Sequence, residues 1–163
     1  MVASAVRKGI VTVILCIVAG SVAFAAGLAP VKAGPKDKCP VCGMFVSKYP
    51  DFAAQVRFKD GSTFHFDGAK DMFKYYREPQ RYTPGRKQQD IAAVFVTDYY
   101  SLNPVDGRTA AYVAGSDVLG PMGRELIPFA RISQAQDFMK DHKGKRVLKF
   151  DQVTPAVIEA LDR

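Results

Sequence analysis

Cys39-Pro40-Val41-Cys42-Gly43-Met44 is the stretch whose residue types and spacing could do chemistry. It sets two thiols three residues apart and a thioether two residues after the second. Thiolate and thioether are soft sulfur ligands. Among the common metals they suit Cu(I) best, while Zn(II) takes the thiolates but rarely a thioether. The same spacing also serves a redox dithiol, half of a structural zinc site or a plain disulfide. The motif alone leaves these readings open, and the rest of the chain has to weigh them.

The N-terminus bears on that choice. Arg7 and Lys8 precede an apolar run at residues 10–19, and Ala23-Phe24-Ala25 is an A-x-A cleavage pattern. Together they predict a signal peptide over residues 1–25, cut before Ala26, and hence export to a bacterial periplasm. The run is too short, and too closely followed by Gly and Pro, for a membrane span. Cys16 lies inside it after Leu15, which is too large for a lipoprotein signal, so Cys16 is expected to leave with the leader; retention as a membrane anchor is the alternative. In an oxidising compartment Cys39 and Cys42 tend towards a disulfide unless kept reduced or metallated. A loop that small gains little stability from a disulfide, which weighs against a structural bridge.

The 163 residues, 48% of them hydrophobic, are enough for one compact domain or two very small ones. The charge of +7 falls to +5 without Arg7 and Lys8. The densest basic group, Arg77, Arg81, Arg86 and Lys87, sits among Tyr75, Tyr76 and Tyr82 and reads as a solvated loop, so nucleic-acid binding is set aside. A monomer is expected.

Residues 26–38 are rich in Gly, Pro and Lys, carry no apolar period, and read as a linker. The motif therefore sits on a loop where the fold begins. Residues 53–66 predict a β-hairpin turning at Asp60-Gly61. A three-residue loop, Lys59-Asp60-Gly61, pairs Val56 with Phe64 and gathers Ala54, Val56, Phe58, Phe64 and Phe66 on one face. Asp67 is expected to cap a helix whose buried stripe is Ala69, Met72, Phe73 and Tyr76. Residues 91–97 read as a buried strand. A second ββαβ pattern follows: strands at 110–113 and 125–131, a helix capped by Ser133 with Ala135, Phe138, Met139 and His142 in register and ended by Gly144, and a strand at 146–150. Thr154-Pro155 opens a short C-terminal helix to about Leu161. The expected class is α+β: two small homologous ββαβ units packed together, over residues 39–100 and 101–163.

These elements decide which other residues could join the sulfurs. His65 is turned off the apolar face of its strand, either exposed or positioned as a ligand beside the loop. Met72 and Met139 lie on buried stripes and read as core. His142 sits in the last turn of its helix, where the dipole favours a cation. Met122, in Gly120-Pro121-Met122-Gly123, belongs to no stripe; it is a hydrophobic plug or a thioether ligand.

Taken together, the CPVCGM loop, the hairpin carrying FHFDG before a helix, AAYVAGS, GPMG, the phenylalanine-bearing helix and the GK-R-V strand resemble the NosL family. The resemblance runs from about Cys39 to Val153. It implies two ββαβ units related to the C-terminal part of organomercurial lyase. It implies a Cu(I)-binding accessory protein without catalysis, supplying nitrous oxide reductase together with a membrane ABC-type maturation complex. Carried over by motif, the ligands fall on Cys39, Cys42, Met44 and Met122, with His65 as a further candidate. The alternative function is an exported thiol–disulfide oxidoreductase; a zinc-stapled module also stands beside it.

Overall fold

The computed structural model describes residues 28–163. The expected signal peptide, Cys16 and the first two linker residues lie outside the described residues. β1 (Ala54–Phe58) and β2 (Thr63–Phe66) form the expected hairpin. Val56 pairs with Phe64, and the Phe58 N–H donates to Ser62 O at 2.9 Å. Gly61 takes φ +85°, a conformation that suits a residue without a Cβ. β3 (Ile91–Thr97) pairs with the other edge of β1 and is followed by β4 (Pro104–Asp106), giving the order β2-β1-β3-β4. The first sheet thus extends past residue 100, because β4 pairs with β3 rather than with the second unit.

β5 (Ala111–Gly120), β6 (Gly123–Phe129) and β7 (Arg146–Lys149) form the second sheet in the order β6-β5-β7. In both units the first strand is central, flanked by the second and third, which is the repeat expected from the sequence. β5 is longer than the apolar pattern suggested, and β6 starts and ends two residues earlier than expected. A register shift between Ala114 and Leu119 lets Leu119 pair with Arg124 beyond the irregularity, so Pro121-Met122 becomes the tip of a long hairpin.

The layers follow from alternation. α1 (Ala69–Arg77) lies between the two sheets. Its Tyr75 ring is 5.1 Å from Phe66 of the first sheet, and its Phe73 ring is 5.0 Å from Tyr112 of the second and 4.8 Å from Phe150. A short α2 (Pro79–Tyr82) and the terminal α4 (Pro155–Leu161) flank it, and Thr154 Oγ1 accepts from Val157 N–H as an N-cap. The opposite face of the second sheet, with Val113, Ile127 and Phe129, meets Phe138 of α3 (Ile132–Asp141) in a separate cluster. Arg131, not Ser133, holds the N-cap position of α3, without a side-chain cap bond. Gly144 follows that helix; a Cβ there would stand 2.7 Å from Val113 Cγ1, so close packing requires the glycine.

Two further corrections concern segments next to the motif. The expected linker is laid on the outer face of the first sheet. Gln55 accepts from Val31 N–H at 2.9 Å and donates to Val31 O at 3.1 Å, and Arg57 donates to Ala29 O at 2.5 Å. Its backbone is held by polar side chains, which no apolar period reports. Asp67 does not cap α1: Gly68 occupies the N-cap position. The cap comes from β6, where the buried Glu125 carboxylate accepts from Lys70 N–H at 2.6 Å and from Leu126 N–H at 2.8 Å. Gly68 makes room, since a Cβ there would lie 2.1 Å from Glu125 Oε2. Glu125 thereby pins the first turn of α1 to the second unit.

Two predictions test this arrangement. Phe73→Ala should cost about 3–5 kcal/mol in chemical denaturation, because it empties the contact between the units. Burial raises the Glu125 carboxyl to about 7 from 4.5, against two backbone N–H donors. The folded chain then holds a proton that the unfolded chain has lost, so the contribution is complete below about pH 4.5 and is lost as pH rises to about 7. The full swing is about 3 kcal/mol. Glu125→Gln keeps an acceptor for both N–H groups and should flatten that fall; an unchanged pH profile of unfolding would contradict it.

Candidate metal centre

The CxxC loop is a tight backbone knuckle. Lys38 and Phe45 form a bridge at its base, Cys39 N–H donates to Met44 O at 2.9 Å, and Gly43 N–H donates to Cys39 O at 2.8 Å. Gly43 closes it at φ +80°. Val46, 1% exposed, anchors the loop in the core. Both cysteines are free thiols, Cys39 buried and Cys42 half-buried.

The first turn of α1 and the residue before its N-cap supply what faces them. Cys42 Sγ donates to Asp67 Oδ1 at 3.1 Å, and Cys39 Sγ to Asp71 Oδ2 at 3.6 Å. One ligand atom from each of Cys39, Cys42, Asp67 and Asp71 lies within 4.8 Å of every other. Asp67 and Asp71 are 1% and 3% exposed. Asp67 Oδ2 is buried with no hydrogen-bond partner among the described residues. An orphaned carboxylate oxygen beside two thiols fits a site that expects a cation. Asp71 is steadied from outside by Lys74, whose Nζ is 3.3 Å from Asp71 Oδ1 and also pairs with Asp162 at 3.0 Å.

The electrostatics keep the metal-free thiols protonated. Burial pushes Cys42 up to about 12 and Cys39 further still. The Met44 N–H directed at Cys42, and the Cys42 and Val41 N–H groups directed at Cys39, oppose that rise, while Asp67 adds to it for both. The backbone is thus built to stabilise sulfur anions that only a bound cation can make favourable here.

Of the residues singled out from the sequence, the structure brings Cys39 and Cys42 together. Met44 is half-buried and its backbone closes the knuckle. Met122 is 46% exposed at the β5–β6 tip, so it is not a plug. Its carbonyl accepts from Lys70 Nζ at 3.1 Å, which holds the tip against the helix that carries Asp71. His65 stands outside the cluster: Nδ1 is 3.1 Å from Asp37 Oδ2 and Nε2 is 3.1 Å from Val31 O. Met72 is core, and His142 packs on Phe138 and faces Asp117. Asp67 and Asp71 are the residues sequence reasoning missed. Their signal was a pair of acids flanking a helix start, Asp67 just before the N-cap Gly68 and Asp71 in the first turn.

Comparisons with known proteins place the chain in a family. The NosL family model matches residues 30–158. The copper-binding lipoprotein NosL of Stutzerimonas stutzeri is 28% identical over 134 residues, covering 81% of this chain and 70% of that protein. The crystal structure of the copper chaperone NosL from Shewanella denitrificans matches with a TM-score of 0.66 at 23% identity, over 78% of this chain and 97% of the other, a likeness of fold. With most of its length matched by one family model, the chain belongs to the NosL family.

Proposed function

We propose that the chain is a periplasmic carrier of copper as Cu(I), loading it at Cys39 and Cys42 and passing it on during maturation of a metalloenzyme. Nitrous oxide reductase is the client that the sequence resemblance implies, with a membrane ABC-type complex as the further partner. The observation that carries the reading is the pair of free thiols in a knuckle whose N–H groups point at sulfur, facing buried carboxylates. Related proteins bear names that describe copper binding and copper chaperoning. The basic and apolar leader pattern supports export, and no helix among the described residues is long and apolar enough to cross a membrane.

Cu(I) needs few ligands, and two thiolates satisfy its preference for soft donors. Met44 and Met122 are the thioethers proposed to complete the shell. His65 would first have to leave Asp37 and Val31 O, whereas Met122 is already exposed. A half-buried Cys42 leaves the ion reachable for ligand exchange. A dithiol oxidoreductase needs a thiol with a lowered pKa; burial here works in the opposite direction, which favours the carrier.

In an anaerobic titration of the reduced protein against a chromophoric Cu(I) chelator, with Zn(II) in parallel, one Cu(I) should bind tightly and zinc more weakly. Tight zinc with ordinary copper binding would overturn the reading. Cys39→Ser or Cys42→Ser should abolish tight binding. Met44→Leu with Met122→Leu should weaken it sharply, and unchanged affinity would remove the thioethers from the site. Asp67→Asn, which alters a group beside sulfur, should cost about 10–100-fold. Protons compete with the metal for both thiols, so affinity rises with pH. It should climb about 100-fold per pH unit, two protons being displaced. Because both thiols titrate far above the ordinary range, that slope should persist to about pH 9. A plateau below about pH 8 would contradict the protonated resting state.

A further inference from the structure

We propose that the face built from Phe45, Lys38 and Lys48 is a docking surface for an acidic protein that exchanges copper with the CxxC loop; this rests on the carrier reading above. Phe45 is the third residue after Cys42 and is 37% exposed. Its neighbour Val46 takes the core position, so alternation along the segment sends the aromatic ring outwards. Lys38, bridged to Phe45 and directly before Cys39, holds its Nζ 4.9 Å from the ring centroid, and Lys48 holds its Nζ 5.8 Å away. A solvent-facing aromatic ring flanked by two ammonium groups matches the anchor-and-rim pattern of recognition surfaces.

Along the segment the charge is mostly of one sign. Residues 28–48 contain Lys32, Lys36, Lys38 and Lys48 against the single acid Asp37, which is committed to His65. Among the described residues none of these four lysines has a carboxylate within ion-pair distance; the cations of α1, Lys70 and Lys74, do. The segment is also rigid enough to present a fixed pattern. Val46 N–H donates to Asp37 O at 3.0 Å, and Lys48 N–H donates to Phe45 O at 3.2 Å in a 3₁₀ turn (Val46–Lys48).

A cationic rim next to a metal loop attracts an anionic partner and orients it with its own ligands over the sulfurs. The exchange involves no redox change: Cu(I) leaves the thiolates of this chain for sulfur donors of the acceptor, whose cysteine releases its proton to solvent on binding, and the vacated thiolates take up protons from solvent. Lipid headgroups offer no such donors, so an acidic protein surface, rather than a membrane, is the fitting occupant.

The test uses the purified, Cu(I)-loaded protein and two synthetic acceptor peptides that share one Cys- and Met-containing copper motif, flanked by Glu in one and by Lys in the other. The Glu-flanked peptide should take copper about 10-fold faster at low salt, with the advantage fading at high salt. Lys38→Glu with Lys48→Glu should bring the two rates to parity, and Phe45→Ser should slow transfer to the Glu-flanked peptide without changing its salt dependence. Equal rates at low salt for the unaltered protein, or a preference that survives the charge reversal, would overturn the proposal. Tighter binding to anionic vesicles than to the Glu-flanked peptide would overturn it in favour of a lipid surface. Fluorescence anisotropy with labelled metal-free peptides reads the surface by itself. If the protein holds no Cu(I) but still prefers the Glu-flanked peptide, the carrier reading fails and the surface stands; Cu(I) binding without any peptide preference sinks the surface alone.

Discussion

The structure depends on a buried carboxylate placed across two repeats. Glu125 comes from the second unit and caps a helix of the first, at the turn that follows Asp67 and carries Asp71. A helix start leaves several N–H groups without partners, and in a core between two sheets no water is at hand to take them. The cap that α1 lacks from its own chain neighbours is supplied at a sequence distance of 55 residues. Gly68 is there because anything larger would meet that carboxylate. The interaction fixes the height and rotation of the first turn, and with it the direction of both acids towards the CxxC knuckle. Lys70 repeats the coupling, joining the Met122 tip and Asp162 to the same turn.

The site combines demands that oppose one another. Burial makes sulfur anions unfavourable, the knuckle N–H groups favour them, and nearby carboxylates disfavour them again. In the metal-free state the sum holds both sulfurs as thiols hydrogen-bonded to Asp67 and Asp71. A cation reverses the balance, because it offsets the charge of thiolates and carboxylates together. Such a centre would resist reaction when metal-free and become an anionic ligand set only on loading. Its second cysteine is half-buried, so an ion held there would not be sealed in. The two sulfurs differ in access: Cys39, like Val46, lies in the core, and Cys42 lies towards solvent.

Local chemistry carried much of the fold to the surface of the sequence. The period-two pattern and Asp60-Gly61 set the first hairpin and its register, a continuous β-branched run set β3, and Thr154-Pro155 set α4. The soft-ligand thiols were legible because two cysteines and a methionine in six residues have few purposes. Contacts between distant polar groups were not legible. Asp67 before a glycine and an apolar stripe looks like a helix cap, and only the packed structure turns it towards Cys42. Glu125 sits beside Leu126 and Ile127 without any local reason for a buried acid. The segment before the motif reads as a linker because Gln55, Arg57 and His65 hold it through polar contacts, which leave no apolar period. His65 was correctly placed off the apolar face, but strand alternation could not say that Asp37 and Val31 O would occupy both its nitrogens.

The central claim is that Cys39 and Cys42 hold the copper together. X-ray absorption at the copper edge of the anaerobically loaded protein tests it most directly. The expected result is Cu(I) held by at least two sulfurs, with sulfur lost in Cys39→Ser. Oxygen and nitrogen ligands alone, or sulfur ligation indifferent to that substitution, would contradict it.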